Sequence, residues 1–507
     1  MFEQVLLLQT LVWNSIGFKA VNLWRYMKTR HLSAVTLCTL LTFIIHLAAA
    51  APGDLDTTFG TGGKVTTAIG SGDDHGRSVA LQPDGKIVVA GYLDNGNGSD
   101  HDVALLRYTV NGALDPTFSG DGIVTTAIGS SGGLGHVVIQ PDGKIVVAGT
   151  ADDSDDDFLL LRYKADGTLD TTFGTGGIVT TDIVGGRDTG ESVALQTDGK
   201  IVVAGSSWTG STNDFALLRY EADGTLDTTF GTGGKVTTAI GSGSDFGLSV
   251  AMQSDGKIVV AGWSDNGSDD DVALLRYTVN GTLDPTFGGD GIVTTDFGDD
   301  DRAFSVLLQP DGKIVVAGYS KVGPDFDFLL SRYEADGTWI NAFGTDFGND
   351  HDYGMSIALQ PDGKIVVAGW SSNQSSNENV SLLRHEADGT VDAGFGTGGK
   401  VTTAIGSDFS SVHSVVLQTD GKIVVTGDSK SGSDDDVALL RYEGGAVQTA
   451  AVLPPVDPNL ALKSQLARKI KKLTKKAKAA KKKGKLALAK KLNKKVKKLK
   501  QQLAALR

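Results

Sequence analysis

Short apolar runs, separated by Gly, Asp, Asn and Pro, recur from about residue 55 to residue 445 of this 507-residue chain. Four kinds of run return in the same order, typified by "GGKVTT", "SVALQ", "KIVVAG" and "ALLRY". Val, Ile, Thr and Tyr dominate the runs, which is typical of β-strands rather than of helices. The pattern therefore predicts repeated units of four short strands joined by turns.

The unit is counted most easily from the Asp of its Asp-Gly-Lys-Ile-Val-Val core. That Asp occurs at Asp84, Asp142, Asp198, Asp255, Asp311, Asp362 and Asp420. The links "QPDGK" and "QTDGK" predict tight hairpin turns, because Asp-Gly tolerates the positive φ that such turns need. Runs such as 87–90 are apolar on both faces, so neighbouring units must cover them.

Seven four-stranded units that cover one another predict an all-β fold, a seven-bladed β-propeller of four-stranded antiparallel blades. A parallel β-helix is the alternative, but its coils of about 20 to 30 residues are shorter and lack regular hairpins. The first "KVTT", 64–67, precedes the first "SVALQ", and no "KVTT" follows the last "ALLRY" at 438–442. We therefore expect the N-terminal strand to complete the last blade. The segment 339–343 reads "WINAF" without a following "GGKVTT", which predicts a short or missing outer strand there.

The combined pattern "LDTTFGTGGKVTT…SVALQPDGKIVVAG…DFALLRYEADGTLDTTFG" resembles the delta-60 repeat family of secreted bacterial proteins and, more loosely, kelch-type propellers. The resemblance covers roughly residues 55–445. It implies a propeller in an exported protein, and it implies no particular activity.

One Arg and one Phe recur at fixed positions in every unit. A functional interpretation would make the arginines an anion-binding ring. A residue needed in every blade is more typical of scaffolding, so we predict an ion pair from each Arg to a turn Asp and an aromatic wedge from each Phe. The arginines are Arg107, Arg162, Arg219, Arg276, Arg332, Arg384 and Arg441, and the phenylalanines are Phe59, Phe118, Phe173, Phe230, Phe287, Phe343 and Phe395.

The N-terminal region predicts export. Residues 1–26 resemble an upstream mis-start, and residues 27–51 combine a basic start, an apolar stretch and a small-residue run suited to signal peptidase. The only cysteine, Cys38, lies in that stretch, so the mature chain would contain neither disulfides nor cysteine-based sites. We expect a secreted or cell-surface protein with no transmembrane segment in the mature chain.

The variable loops of the unit are acidic, and strand parity places them on one face of the ring. Carboxylates interspersed with Asn, Ser and Gly suit calcium, although no loop has EF-hand spacing. Calcium is therefore the one cofactor that the sequence suggests. The alternative is a solvated acidic face that binds no ion. The histidines show no metal-ligand spacing and are predicted to be ordinary surface or strand residues. The calcium candidates are Asp94, Asp100, Asp102, Asp153, Asp155, Asp157, Asp265, Asp269 and Asp271.

The C-terminal composition differs completely from the repeats. A Pro-rich linker, 449–458, separates the propeller at 52–448 from a tail, 459–507, with 20 Lys and Arg residues and no Asp or Glu. Apolar residues step by three and four along two segments separated by Gly484, which predicts a basic α-helical hairpin or an intermolecular coiled coil. Such a tail would favour an anionic envelope polymer or lipid.

No catalytic residue can be selected from the sequence. We expect an extracellular binding or structural module, with a protein or polysaccharide partner on the acidic loop face, surface retention by the tail and no specific nucleic acid partner. A propeller-based hydrolase or lyase acting on polysaccharide is the alternative.

Overall fold

The computed structural model describes residues 50–94, 101–128, 133–151, 156–348, 351–372, 378–405 and 410–445, together with residues 474, 494, 495, 497 and 498. The chain divides into two units, Met1–Leu359 with Ile365–Gly445 and Gln360–Lys364 with Ala446–Arg507. The first unit carries all 28 strands, which are numbered in chain order.

Each repeat supplies an inner strand, two middle strands and a short outer strand. The inner strands are β2 (Asp74–Leu81), β6 (Leu134–Ile139), β10 (Asp188–Leu195), β14 (Asp245–Met252), β18 (Asp301–Leu308), β22 (Asp352–Leu359) and β26 (Ser410–Leu417). The second strands are β3 (Ile87–Asp94), β7 (Ile145–Ala151), β11 (Ile201–Trp208), β15 (Ile258–Asp265), β19 (Ile314–Val322), β23 (Ile365–Ser372) and β27 (Ile423–Ser431). The third strands are β4 (His101–Tyr108), β8 (Asp157–Tyr163), β12 (Asn213–Tyr220), β16 (Asp270–Tyr277), β20 (Asp325–Tyr333), β24 (Glu378–His385) and β28 (Asp434–Tyr442). The outer strands are β1 (Lys64–Thr67), β5 (Ile123–Thr126), β9 (Ile178–Thr181), β13 (Lys235–Thr238), β17 (Ile292–Thr295), β21 (Trp339–Thr345) and β25 (Lys400–Thr403).

The strands form seven antiparallel four-stranded sheets, which confirms the predicted seven-bladed β-propeller. Blades 1 to 6 each use consecutive strands from β2 onward, and blade 7 has the order β1-β28-β27-β26. Its outer strand comes from the N-terminal segment, with Lys64 opposite Leu440 and Thr67 opposite Val437. The predicted closure is confirmed, and it ties the two ends of the repeat region into one sheet.

The core lies between blades. In one cluster Val79, Leu106 and Tyr108 of blade 1 pack with Val437 and Leu439 of blade 7, all at most 3% exposed. The six other clusters likewise combine residues of adjacent blades. Both faces of the "KIVVAG" and "ALLRY" strands are therefore covered, which is why their runs are apolar at every position rather than at alternate positions.

The recurring Arg and Phe are structural, as predicted. In blade 1, Arg107 Nε donates to Asp115 Oδ2 at 2.8 Å, and the guanidinium lies 4.5 Å from the centre of the Phe118 ring. A nitrogen of the same guanidinium donates to the carbonyl oxygen of Ala165 in the following repeat. Arg107 thus pairs with a turn Asp and joins its unit to the next, and all the recurring arginines except Arg332 make the predicted ion pair. The corresponding Arg–Asp pairs are Arg162–Asp170, Arg219–Asp227, Arg276–Asp284, Arg384–Asp392 and Arg441–Asp56.

The prediction of a short or missing outer strand at residues 339–343, in blade 5, is wrong. The outer strand is neither short nor missing: β21 has seven residues, whereas each other outer strand has four. The repeat is shortened in the turn, so the residues that form the Phe-Gly turn elsewhere run directly along β20, with Thr345 opposite Phe328. The open edge of β20 needs backbone partners, and an extended segment of almost any sequence supplies them. The change leaves Arg332, 6% exposed, without a partner for its Nε atom.

The described tail residues, Thr474, Lys494, Lys495, Lys497 and Lys498, are helical, and the four lysines are exposed. The predicted hairpin, the linker and the signal segment lie outside the described residues. Among the residues that the structure describes, no helix has the length and apolarity needed to cross a membrane.

Candidate functional site

Each inner strand contains one β-bulge, and the bulged residues surround a central channel. In blade 1 the pairing shifts between Gly76 and Ser78, which leaves Arg77 without a partner opposite it. The same shift occurs in the six other inner strands. We call the bulged residues the bulge ring; they are Arg77, Gly135, Glu191, Leu248, Phe304, Met355 and His413, and all seven line the same cavity.

The repeated sequence on both sides of the bulge makes this geometry possible. The Gly of "KIVVAG" lies opposite the bulge, and a Cβ atom at Gly262 would stand 1.7 Å from the carbonyl oxygen of Phe246. The serine that follows the bulge links neighbouring inner strands; Ser78 Oγ, for example, accepts a hydrogen bond from Val137 N at 3.1 Å. The scaffold is therefore repeated, and the bulge position is free to carry a different side chain in each blade.

The bulge ring is chemically divided. Blades 7, 1 and 3 contribute His413, Arg77 and Glu191, whereas blades 4, 5 and 6 contribute Leu248, Phe304 and Met355. Blade 2 contributes only Gly135, because a Cβ atom there would lie 2.2 Å from the main-chain oxygen of Glu191. Burial raises the pKa of Glu191, and the nearby Arg77 partly offsets that effect.

A polar cluster centred on Asp428 of blade 7 occupies the charged side of the channel. Asp428 Oδ1 accepts the backbone N–H of Gly76 at 2.9 Å. Its Oδ2 lies 2.9 Å from His413 Nε2 and 3.1 Å from His75 Nδ1. We call His75, Arg77, Tyr92, His413 and Asp428 the channel cluster; Arg77 donates from Nη2 to Tyr92 Oη at 2.6 Å.

The contacts fix the charge states within the channel cluster. Burial alone would raise the pKa of Asp428, but the hydrogen bonds and charges of His413, His75 and Arg77 hold it well below its usual range. Burial lowers the pKa of His413. Arg77 Nη1 lies 3.0 Å from His413 Nε2 and 3.3 Å from His413 Nδ1, and the same Nε2 lies 2.9 Å from Asp428 Oδ2. The result is an oriented imidazole between a carboxylate and a guanidinium.

Aromatic side chains follow the inner and second strands of blades 4 to 6. The Phe246 and Trp263 rings stack with centroids 4.3 Å apart, and the Tyr353 and Trp370 rings with centroids 4.2 Å apart. Tyr319 lies between these pairs, 5.0 Å from Tyr353. We call these five residues the aromatic platform.

A cation covers one end of the aromatic platform. The Arg302 guanidinium lies 4.1 Å from the centre of the Trp263 ring, and its Nε donates to Asp270 Oδ2 at 2.8 Å. Phe304 of the bulge ring lies 5.6 Å from Tyr319, so the platform continues into the apolar side of the channel.

Those predicted calcium candidates that the structure describes lie in three different blades. Asp265 Oδ1 accepts the N–H of Gly267 at 2.7 Å, and the Asn266 amide donates to Asp269 at 2.5 Å and to Asp271 at 3.1 Å, so these three belong to a loop network. Asp94 ends β3 and Asp102 lies in β4. Asp100, Asp153 and Asp155 lie outside the described residues.

Among the described residues, Asp157 alone of the candidates joins a group of three acidic side chains, with Asp182 and Asp188. Sequence reasoning missed both partners. A usable signal was present, since "VTTD" followed by an Asp at the start of the next "SVALQ" strand recurs in the chain. His75 and His413 were also missed as members of a site, since they were interpreted as ordinary surface or strand residues. His413 and Asp428 lie on adjacent strands of blade 7, and ring closure brings His75 of blade 1 to them.

The repeats match the model of a known protein family. The family described as "Domain of unknown function (DUF5122) beta-propeller" matches seven segments, at residues 82–118, 140–173, 196–230, 253–287, 309–338, 360–395 and 418–444. Over these segments the chain is similar to that β-propeller family. No curated protein matches the chain by sequence.

Several solved structures are similar in fold. A protein of unknown function from Dyadobacter fermentans is 13% identical with a TM-score of 0.39, and the match covers 75% of this chain and 97% of that one. The polysaccharide lyase Uly1 is 14% identical with a TM-score of 0.43, covering 75% and 91%. Sqt1 from Chaetomium thermophilum is 12% identical with a TM-score of 0.44, covering 75% and 100%. At these values the neighbours carry no argument about activity.

Proposed function

We propose that the propeller is a carbohydrate-binding module and that a neutral polysaccharide chain lies across the channel mouth. The observation that carries the proposal is the bulge ring, where seven equivalent positions hold different side chains on an otherwise repeated scaffold. Scaffolding requires the same residue in every blade, as the recurring Arg shows, whereas recognition of an asymmetric ligand requires different ones.

The aromatic platform and the channel cluster supply the two kinds of contact that a sugar needs. Trp and Tyr rings offer flat apolar surfaces of suitable size for the C–H faces of pyranose rings, and polar groups placed beside them fix the hydroxyl groups. Trp263, Trp370 and Tyr353 are all partly exposed. Phe246 and Arg302 lie against the Trp263 ring, so Trp263 offers its exposed edge, whereas Trp370 and Tyr353 form a separate stacked pair. Arg77 and His413 provide the polar groups at the channel.

Charge favours a neutral chain over a polyanion. The cations at the mouth already face carboxylates, since Arg302 pairs with Asp270 and Arg77 lies near Asp428 and Glu191. The surrounding loops are rich in aspartate, and their field repels polyanions. The acidic loops therefore select against charged chains instead of forming the binding surface.

Replacing Trp263 and Trp370 by alanine should weaken binding of neutral glycans at least tenfold, because each substitution removes an aromatic surface that can contact a sugar ring. The measurement is isothermal titration of the full chain with a panel of neutral and anionic oligosaccharides. Trp208→Ala and Trp339→Ala are matched controls, since these two residues are 39% and 50% exposed and neither belongs to the platform. Equal losses in all four variants, or no binding by the wild type, would contradict the proposal.

The channel cluster favours one further candidate function, catalysis on the bound polysaccharide. Asp428 is a buried carboxylate and Glu191 a partly buried one, neither recurs in other blades, and His413 is held between a carboxylate and a guanidinium. Such an arrangement can move a proton. The same oligosaccharide panel tests it. New reducing ends from a neutral oligosaccharide indicate hydrolysis, ultraviolet absorbance from a new C=C bond, which only uronate-containing members can give, indicates elimination, and intact oligosaccharides support a binding module alone.

We also propose, in line with the delta-60 resemblance, that the protein is exported and that its basic tail holds it at the cell surface. The four described tail lysines are exposed and carry the charge that an anionic envelope polymer or lipid would bind. Deleting residues 459–507 should release the protein from intact cells into the medium. Fractionation that finds the truncated protein no less surface-associated than the full chain would remove this part of the proposal.

A further inference from the structure

Two junctions between blades carry the same group of three aspartates. At the first, Asp157 begins the third strand of blade 2, Asp182 follows its outer strand, and Asp188 begins the inner strand of blade 3. At the second, the same positions of blades 5 and 6 hold Asp327, Asp346 and Asp352. One carboxylate oxygen from each residue of a group lies within 4.8 Å of the others.

One carboxylate in each group is buried and incompletely hydrogen-bonded. Asp188 and Asp352 are both 0% exposed. The Oδ2 atoms accept backbone N–H groups of Ile183 and Phe347, each at 2.6 Å. Asp352 Oδ1 has no hydrogen-bond partner, as is also true of Asp245 and Asp301 at other junctions, whereas the Ser207 hydroxyl lies within reach of the Asp188 carboxylate. A buried oxygen with no donor has lost its water without replacement, and a bound ion would supply the missing interaction.

The local charge balance leaves room for a divalent cation. Lys235 Nζ donates to the main-chain oxygen of Asp182 at 2.5 Å, and Lys400 Nζ makes the equivalent bond to Asp346. Three carboxylates and one ammonium give each junction a formal charge of about −2.

We propose that each of these two junctions is a calcium site that fastens one blade to the next. Oxygens on opposite sides of a Ca²⁺ ion are separated by about 4.6–5.2 Å, and those on Mg²⁺ by about 4.0–4.2 Å, given the usual metal–oxygen distances. Three protein carboxylates at one site suit Ca²⁺, because Mg²⁺ is usually held by only one or two carboxylates and keeps several waters. The ion would join the third strand and the outer end of one blade to the inner strand of the following blade.

Two other junctions between blades of this chain can be compared with the proposed sites. Between blades 3 and 4 the three positions hold Asp214, Ala239 and Asp245, so one carboxylate is absent. Between blades 4 and 5 all three carboxylates are present, at Asp271, Asp296 and Asp301, yet they do not form such a group, and the Asn266 amide holds Asp271. Alanine is thus tolerated at the second position, and three aspartates alone do not make the site.

The test is isothermal titration of Ca²⁺ into the chelator-treated full chain. We expect two ions per chain, with dissociation constants of about 10⁻⁴–10⁻³ M, the range of extracellular calcium modules. The double variant Asp182→Ala/Asp346→Ala should bind at least tenfold more weakly, and each single variant should bind one ion. Because both substitutions reproduce the alanine of other junctions, the variants should remain folded, which circular dichroism checks.

Asp296→Ala is the matched control and should still bind two ions. Loss of binding in Asp296→Ala equal to that in the double variant would show diffuse attraction to the acidic loops and overturn the proposal. Absence of binding by the wild type at millimolar Ca²⁺, unchanged binding by the double variant, or equally tight binding of Mg²⁺ would also overturn it. None of these results depends on a glycan, so the calcium sites and the proposed carbohydrate function stand or fall separately.

Discussion

Replacement of Asp56 by alanine should lower the free energy of unfolding by about 3–5 kcal/mol, the usual effect of removing one partner from a buried ion pair. Asp56 is 2% exposed, and its Oδ2 accepts from Arg441 Nε at 2.7 Å and lies 2.8 Å from Lys422 Nζ. Without the carboxylate, the Arg441 guanidinium remains buried with no counter-charge. Urea unfolding of the full chain, followed by circular dichroism, measures the change.

Asp227→Ala is the matched control for this closure contact. Asp227 pairs with Arg219 eight residues away at 2.7 Å and lies 3.2 Å from Lys200, so its local contacts equal those of Asp56. Asp56, however, also joins the two ends of the repeat region. Asp56→Ala should therefore destabilise at least as much as Asp227→Ala. A loss below about 1 kcal/mol in either variant, or a larger loss in Asp227→Ala, would contradict the closure argument.

Blade 5 permits the reverse experiment. Arg332 lies directly opposite Asn341, and the Nε of the former and the Oδ1 of the latter are buried without partners. Asn341→Asp places a carboxylate of the same shape opposite the guanidinium. We expect a gain of about 1–3 kcal/mol, the usual penalty of an unsatisfied buried polar group. A loss of stability would show that the β21 backbone holds the new carboxylate away from Arg332.

The second large effect is a fall in stability as the pH rises from about 5 to 8. Burial raises the pKa of Asp301 to about 7, and burial likewise raises the pKa of Glu378 to about 7. In the unfolded chain these groups titrate near 3.9 and 4.3. Between those values and pH 7 the folded protein holds protons that the unfolded chain has released, so stability falls through this window and levels off above it.

The loss of stability depends on how far folding shifts each pKa. Three pKa units correspond to about 4 kcal/mol for the fully buried Asp301, as an upper limit. Below about pH 4, stability should instead decrease as the pH falls. Burial alone would raise the pKa of Asp56 and Asp227, but hydrogen bonds and neighbouring cations hold both well below the usual range, and protonating them removes their ion pairs. Thermal melting across pH 3–9 should therefore show a maximum near pH 5.

Asp301→Asn is the control for the pH effect, because an amide does not ionise. Burial also raises the pKa of Asp352 to about 7, so two such groups remain, and the slope of stability against pH between 5 and 8 should become about one third less steep. An unchanged slope would show that Asp301 is not protonated in the folded protein.

Much of the architecture could be predicted because it depends on local patterns. Period-two and continuous apolar runs indicate strands, and Asp-Gly pairs indicate hairpins; Gly85, in the first such hairpin, has a φ of 84°. The missing "KVTT" after the last repeat indicated closure. The prediction failed at β21, because the sequence there lacks the strand motif, and the unpaired edge of β20 decided the outcome instead.

The sites could not be predicted in the same way, since their members are distant in sequence. Arg77 and His413 are separated by 336 residues, yet Arg77 Nη1 lies 3.0 Å from His413 Nε2. The aromatic platform and the two aspartate groups likewise draw on adjacent repeats. Each of these residues resembles ordinary strand or loop composition until its neighbours are known.

The sequence by itself determined that this protein consists of seven like units and that the units close into a ring, because strand periodicity, turn chemistry and unit count are local properties of the chain. Only the tertiary structure decided which of the non-repeated side chains face one channel, and which aspartates meet between blades. Those arrangements depend on closure, which brings the first and last blades together, and on the burial that changes the proton affinity of Glu191, Asp188 and Asp352.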